Sequence, residues 1–328
     1  MKTLKDLSSS HNPQSKSWLY LVNFLKDTAR WLRIPTSITS KVYKAMVKKK
    51  IVAYKNEWLV QDDTGTYFNI NGAKLPDISG DPNQAVTLMS AFEDVFMVPY
   101  FFNDNHDKSV VEKVDKYMIE GPYGYTDGAF DVTVKKDDVV IDAGAWIGDF
   151  SAYAASKGAI SYAFEPVEDT FQLLRKTEML NNTTQMSNNV KIRGKIISIQ
   201  KGLGDKEGVA VMAISKNNSG ENSIVMKIDA EDSEKIEITT LDKFVEENNL
   251  KRVDFIKSDI EGAERDMLRG ATNVLKTFAP KLAICTYHLP DDPEVLESII
   301  KEANPQYRVV QMRHKLFAAV PNSQHQVH

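Results

Sequence analysis

The stretch 138–150, DVVIDAGAWIGDF, limits what this chain can fold into more than any other. Val139, Val140 and Ile141 are strand formers bounded by turn formers, which reads as a short buried parallel strand. Asp142 follows. Gly144 and Gly148 then stand four apart, so the backbone can turn sharply and come close to a ligand at the strand's carboxyl end. Phe150, Tyr153 and Ala154 recur at helical spacing as far as Gly158, a C-cap residue. Strand, glycine turn and helix make up the opening unit of a nucleotide-type α/β fold.

The residues of the turn narrow the ligand. The run Asp142-Ala143-Gly144-Ala145-Trp146-Ile147-Gly148 lacks the close glycine pair of a dinucleotide fingerprint, and no Gly-Lys-Ser/Thr phosphate loop follows. An acid ahead of the glycines suits a cationic or amine-bearing ligand. S-adenosylmethionine (SAM), with its ammonium and sulfonium, is one such ligand. The competing reading is a tight turn that holds nothing.

Downstream, strands and helices alternate. A strand over 160–165 ends at Glu165, placed where a carboxylate accepts both ribose hydroxyls of an adenosine. Dehydrogenases place an acid there too. A helix over 167–180 presents Phe171 and Leu174, and a third strand covers 195–201. In GLGDKEG (202–208), Asp205 either meets an adenine amino group or belongs to an ordinary turn. A β excursion over 209–238 is broken by the polar loop 216–223. Thr239 and Asp242 open a helix with Leu241, Phe244 and Val245 inward, and strands follow at 253–256 and 282–287. A helix begins after Pro293, and a hairpin of 308–311 with 316–320 closes the chain. This order implies a mostly parallel sheet with one antiparallel edge strand.

The 328 residues leave room for an accessory region, and we draw its boundary near residue 95. Within 1–95, residues 1–16 are polar and 17–33 carry a helical stripe. The basic stretch 41–50 reads as a solvated helix face, with a membrane-surface helix as the alternative. Residues 51–70 alternate as a hairpin around Asp63-Thr64-Gly65, and Asp81-Pro82 opens a helix to about residue 96. A docking or homo-oligomerising role for this part is left open. Residues 96–328 form the main domain, with a helix over 109–119. The loop GPYGYTDG (121–128) either covers a cofactor or serves as a connector.

Net charge is −4, without the basic excess of a nucleic-acid partner. The apolar run 95–102 contains Pro99 and is far shorter than a spanning helix. No secretory leader is visible, and Cys285 is the single cysteine. The expected location is cytoplasmic.

Asp259, Glu261 and His288 fall at the carboxyl ends of central strands, the edge at which open α/β sheets bind ligands. Each has a structural alternative: Ser258-x-x-Glu261 is a capping box, Asp259 can cap the same helix, and a strand-end histidine often bonds only to backbone. In order, VVIDAGAWIGDFS, AFEP, GLGD, TTLDKFV, DFIKSDIEGAE and ICTYH resemble the FkbM-type family of SAM-dependent methyltransferases over roughly 120–320. The resemblance implies a class I, Rossmann-like methyltransferase fold. It also implies methyl transfer to a hydroxyl of a sugar, polyketide or related small metabolite. On the same ground Asp142, Gly144, Ala145 and Glu165 line the cofactor at the turn that ends in Gly148, with Asp205 near the adenine. Asp259, Glu261 and His288 face the transferred methyl.

With a reference pKa of about 6.5, His288 is expected as a neutral general base. Alternatively, the three groups hold a divalent metal that acidifies the acceptor, but no spacing demands one and no metal is assigned. Two rivals stand beside this reading. One is a nicotinamide-dependent oxidoreductase, which shares the fold and Glu165. The other is a catalytically silent SAM-binding scaffold.

Overall fold

The structure is a computed structural model that describes residues 36–97, 101–102, 122–182, 194–214 and 232–321. The polar start, the 17–33 and 109–119 helices and the 216–223 loop lie outside the described residues.

Helix α1 (Thr36–Trp58) leads into a three-stranded antiparallel sheet of β1 (Leu59–Asp62), β2 (Gly65–Ile70) and β3 (Ala73–Pro76). The basic stretch 41–50 is therefore part of one helix that runs on through 51–58, where alternation read as a strand. The hairpin turn at Asp63-Thr64 is as expected, with Asp62 accepting from the Thr64 amide. Helix α2 (Pro82–Ala91) is capped by Asp81, which accepts from the Gln84 amide, and continues as a π-helical turn, Phe92–Met97. The short strands β4 (Phe101–Phe102), β5 (Tyr125–Thr126) and β6 (Asp131–Val132) form a second small sheet.

The main sheet follows. Its elements in chain order are β7 (Val139–Ala143), α3 (Asp149–Ser156), β8 (Ile160–Phe164), α4 (Glu168–Asn182) and β9 (Lys195–Ile199). An excursion of β10 (Gly202–Leu203), β11 (Gly208–Ile214) and β12 (Asp232–Thr239) forms its own sheet. Then come α5 (Leu241–Glu247), β13 (Phe255–Ser258), α6 (Glu264–Arg269), α7 (Thr272–Thr277), β14 (Lys281–Cys285), α8 (Asp292–Ala303), β15 (Arg308–Met312) and β16 (Lys315–Ala319). Thr240, not Thr239, caps α5, its hydroxyl accepting from the Lys243 amide. The strand order is β15-β16-β14-β13-β7-β8-β9. All pairs are parallel except the two made by β16. The antiparallel strand is thus wedged between β14 and β15 rather than lying at the edge.

Strand alternation builds three layers. Ile141, Ala143, Ile256, Leu282, Ile284, Leu316 and Ala318 face one way, onto a core shared with α5 to α8. Val140, Phe255, Ala283 and Phe317 face the other way, toward Phe150 and Ala154 of α3. Past that layer lies the accessory region. Phe68, Leu75, Leu88 and Phe92 share one apolar cluster with Ala145, Ile147, Ala152, Leu174 and Ile196. Asn181 at the end of α4 clamps the backbone of Lys74, accepting from its N–H at 3.0 Å and donating to its carbonyl at 2.7 Å.

The chain runs β7, β8, β9 in one direction and returns to β13 on the other side of β7. That reversal opens a crevice at the carboxyl ends of the strands, the usual ligand position in such sheets.

Candidate functional site

Two glycines shape the turn after β7, and each is required. Gly144 has φ +73, and a Cβ there would lie 1.9 Å from the Asp259 carbonyl oxygen, so only glycine lets the β7 turn cross the β13 turn. Gly148 has φ +87, and its Cβ would lie 2.7 Å from Leu174 Cδ1. Gly148 therefore serves the packing of α3 on α4, and it does not line the crevice. Ala145 is likewise buried in the cluster shared with the accessory region.

Asp142 lies on the sheet face away from the crevice lining. Its Oδ2 accepts from Ser151 at 2.6 Å, and its Oδ1 pairs with Lys257 Nζ at 3.2 Å across the β7–β13 register. Lys257 also donates to the Gly144 carbonyl at 2.6 Å. The acid that suggested a cationic ligand is thus answered by a lysine of this chain, and it acts on the turn from beneath. Asp205 is exposed in the bend between β10 and β11, outside the crevice lining.

The crevice lies at the carboxyl ends of β7, β8 and β13, with Gly144 at its base. One wall is apolar: Phe164, Leu203, Met212, Ile236 and Ile238. The β10–β12 excursion thus supplies much of that wall. Glu165 enters it from the end of β8, nearly buried, with Oε1 accepting from the Val167 amide at 3.0 Å. Burial raises its carboxyl to about 8, against the amides of Val167 and Trp146, which favour the charge. Trp146, at φ +48, lines the same wall.

The opposite wall carries Asp259 and Glu261. Tyr123 donates to Asp259 Oδ2 at 2.6 Å, and Tyr287 donates to Oδ1 at 3.1 Å. Burial would raise the Asp259 carboxyl, but Lys257, Lys315 and His288 together hold it well below the usual carboxylate range. Both lysine ammoniums also lie over the Tyr123 ring, 5.2 and 4.1 Å from its centroid. Glu261 has φ +54 and precedes Gly262 at φ +100, a conformation costly for a glutamate. That turn is locked by Glu264, whose two oxygens accept from the amides of Ile260 (2.8 Å) and Gly262 (3.0 Å). The alternative of a capping box between Ser258 and Glu261 does not form, because α6 starts only at Glu264.

His288 is buried among these carboxylates. Nδ1 is 3.0 Å from Glu264 Oε1, and Nε2 is 3.7 Å from Asp259 Oδ1 and 3.5 Å from Glu261 Oε2. The contact with Glu264 lies off the N–H axis, so neither ring nitrogen has an aligned hydrogen bond. Burial disfavours the charged ring, but Glu264, Asp259 and Glu261 outweigh it and raise the pKa to about 9. These carboxylates favour the charged ring, whereas the sequence reading expects a neutral imidazole.

Of the residues singled out in the sequence, Gly144, Glu165, Asp259 and Glu261 line the crevice, and His288 stands behind the two acids. Asp142, Ala145, Gly148 and Asp205 do not line it. Tyr123, Lys257, Glu264, Tyr287 and Lys315 were missed. Tyr123 sat in a loop open to a connector reading, and Glu264 was overlooked inside the DIEGAE motif.

These residues fit an adenosine. A buried carboxyl with acceptor capacity to spare stands beside an apolar slot, with further acids across from it. A doubly wound sheet with one reversed strand and such a crevice defines a class I methyltransferase architecture. The chain belongs to the FkbM methyltransferase family, whose domain matches residues 142–309.

It is 27% identical over 172 residues to hexuronic acid methyltransferase AglP of Haloferax volcanii, covering 52% of this chain and 64% of that protein. It is 29% identical over 168 residues to methyltransferase 1 of Beauveria bassiana, covering 44% of this chain and 64% of the relative. The chain thus spans about 64% of the length of each of these relatives. The crystal structure of methyltransferase FkbM from Methylobacillus flagellatus aligns with a TM-score of 0.45 at 19% identity, over 84% of this chain and 60% of that one. Among the described residues no helix is long and apolar enough to cross a membrane.

Proposed function

We propose that this chain is a SAM-dependent O-methyltransferase acting on a hydroxyl of a sugar or related small metabolite. The observation that carries the reading is one crevice with Glu165 and an apolar slot on one wall and Asp259 and Glu261 on the other, the two acids backed by His288. The name of the Haloferax relative, a hexuronic acid methyltransferase, supports an acceptor of the sugar-acid kind.

On this reading Glu165 accepts the two ribose hydroxyls, and Met212, Ile236 and Ile238 flank the adenine. When bound, SAM supplies an electrophilic methyl group. The chain's contribution is then chiefly to hold the acceptor oxygen in line with that methyl, an effect that can contribute ~7–11 kcal/mol. The acceptor hydroxyl must lose its proton as the new bond forms. Glu261 lines the crevice and is a carboxylate able to take that proton, with His288 holding it in place at 3.5 Å. Asp259, fixed by Tyr123 and Tyr287, orients the acceptor.

The test is transfer of an isotope-labelled methyl from SAM to a panel of neutral sugars and uronic acids, read by mass spectrometry. An acceptor that gains one labelled methyl group, a product lost in Glu261→Gln, is the expected outcome. No labelled product from any hydroxylated acceptor, or full turnover in Glu261→Gln, would overturn the assignment.

A further inference from the structure

The cluster around His288 holds more than methyl transfer requires. His288 is almost wholly buried, and neither ring nitrogen has an aligned hydrogen bond. Its nitrogens face only carboxylate oxygens, at 3.0 Å off the N–H axis and at 3.5 and 3.7 Å, a surrounding that an ion completes. Asp259, Glu264 and His288 each offer a ligand atom, and these atoms lie within 4.8 Å of one another. Glu261 Oε2 adds a further carboxylate oxygen 3.5 Å from Nε2. We propose that Asp259, Glu264 and His288 form a divalent-cation site at the wall of the crevice, with Glu261 beside it.

Three features of the surroundings suit an ion. Glu264 uses its oxygens to hold the Ile260 and Gly262 amides, yet each oxygen keeps a lone pair. Those bonds fix the carboxylate where a metal needs it. Tyr123 and Tyr287 donate to Asp259, the outer hydrogen bonding that orients a ligating carboxylate. The cationic groups that face Asp259 are Lys257, Lys315 and His288. An ion bound through the imidazole would release that nitrogen's proton to solvent.

Two carboxylates and one imidazole match a hard or borderline cation such as Mn²⁺ or Mg²⁺, with positions left for water or an acceptor oxygen. An acceptor hydroxyl on such an ion would be acidified, its proton passing to Glu261. The ion's chemical role rests on the methyltransferase reading, whereas its binding does not.

The test is a titration of the full chain, stripped with EDTA and dialysed, with Mn²⁺ alone, followed by electron paramagnetic resonance of the free ion. The expected result is one retained Mn²⁺ per chain. Asp259→Asn and Glu264→Gln should each weaken it by roughly tenfold or more. On the wild-type chain, Mn²⁺ should broaden the His288 imidazole resonances ahead of those of the other histidines, which needs no variant to fold. Free Mn²⁺ that rises linearly from the first addition, or binding that leaves His288 sharp, would overturn the site. S-adenosylhomocysteine titrated into the EDTA-treated protein separates the two claims. Its binding without Mn²⁺ retention would refute only the ion site, and no binding at all would refute the methyltransferase reading.

Discussion

At the residue scale, the most consequential pair is Asp142 with Lys257. Both are buried, in register on neighbouring strands, and the lysine also holds the Gly144 carbonyl. Removing one partner of a buried ion pair strands the other charge, at about 3–5 kcal/mol. Lys257→Met should therefore lower the unfolding free energy from urea titration by that order, and the double substitution Lys257→Met with Asp142→Leu should recover most of the loss. A single-substitution midpoint equal to wild type would show that the pair does not support the turn.

Glu165 gives a second expectation, in pH. Its folded-state pKa, raised from 4.5 to about 8, means the empty folded state binds more protons than the unfolded state between those values. Stability from this group then falls as pH rises through that window. Glu165→Gln should flatten the slope of stability between pH 5 and 8. Hydroxyls donating to the carboxyl favour its charged form, so nucleoside binding near pH 7 should release a proton. Calorimetry in buffers of different ionisation enthalpy reads that release directly, and proton uptake would contradict it.

At the element scale, the core alternation of the sheet was legible because strands buried on both faces leave continuous apolar runs, as in VVIDA and LAIC. Their partners in space were not legible. The segment 51–58 alternates well enough to mimic a strand, yet it completes α1, whose Val47, Ile51 and Tyr54 recur at helical spacing and are buried. The hairpin of β15 and β16 was visible, but its insertion with β16 inward is decided by pairing with β14, which no local pattern encodes. The site followed the same division. Glu165, Asp259, Glu261 and His288 were found because strand ends can be counted. Asp142 was read as facing the ligand, whereas the structure pairs it with Lys257, 115 residues away and invisible to a local pattern. The usable signal was a lysine inside the otherwise apolar strand FIKS, since such a buried charge requires a counter-charge.

On the scale of the whole molecule, the accessory region and the methyltransferase domain share an apolar cluster, from Phe68, Leu75 and Phe92 to Ala145, Ile147 and Leu174. Cutting the chain near residue 95 would expose that surface on α3 and α4. A protein lacking residues 1–95 should lose several kcal/mol of stability, at about 25 cal/mol per Å² of apolar surface uncovered. It should also aggregate by light scattering, whereas a monodisperse and equally stable truncation would mean that the region is a separable module.

The central claim is that the crevice between β7, β8 and β13 receives the adenosine of a sulfonium nucleoside through Glu165. Isothermal titration of S-adenosylhomocysteine into the full chain tests it most directly. The expected result is one site per chain, weakened by about 1.5–3 kcal/mol in Glu165→Ala, the worth of hydrogen bonds to a charged group. No heat of binding at saturating ligand, or an affinity unchanged in Glu165→Ala, would contradict it.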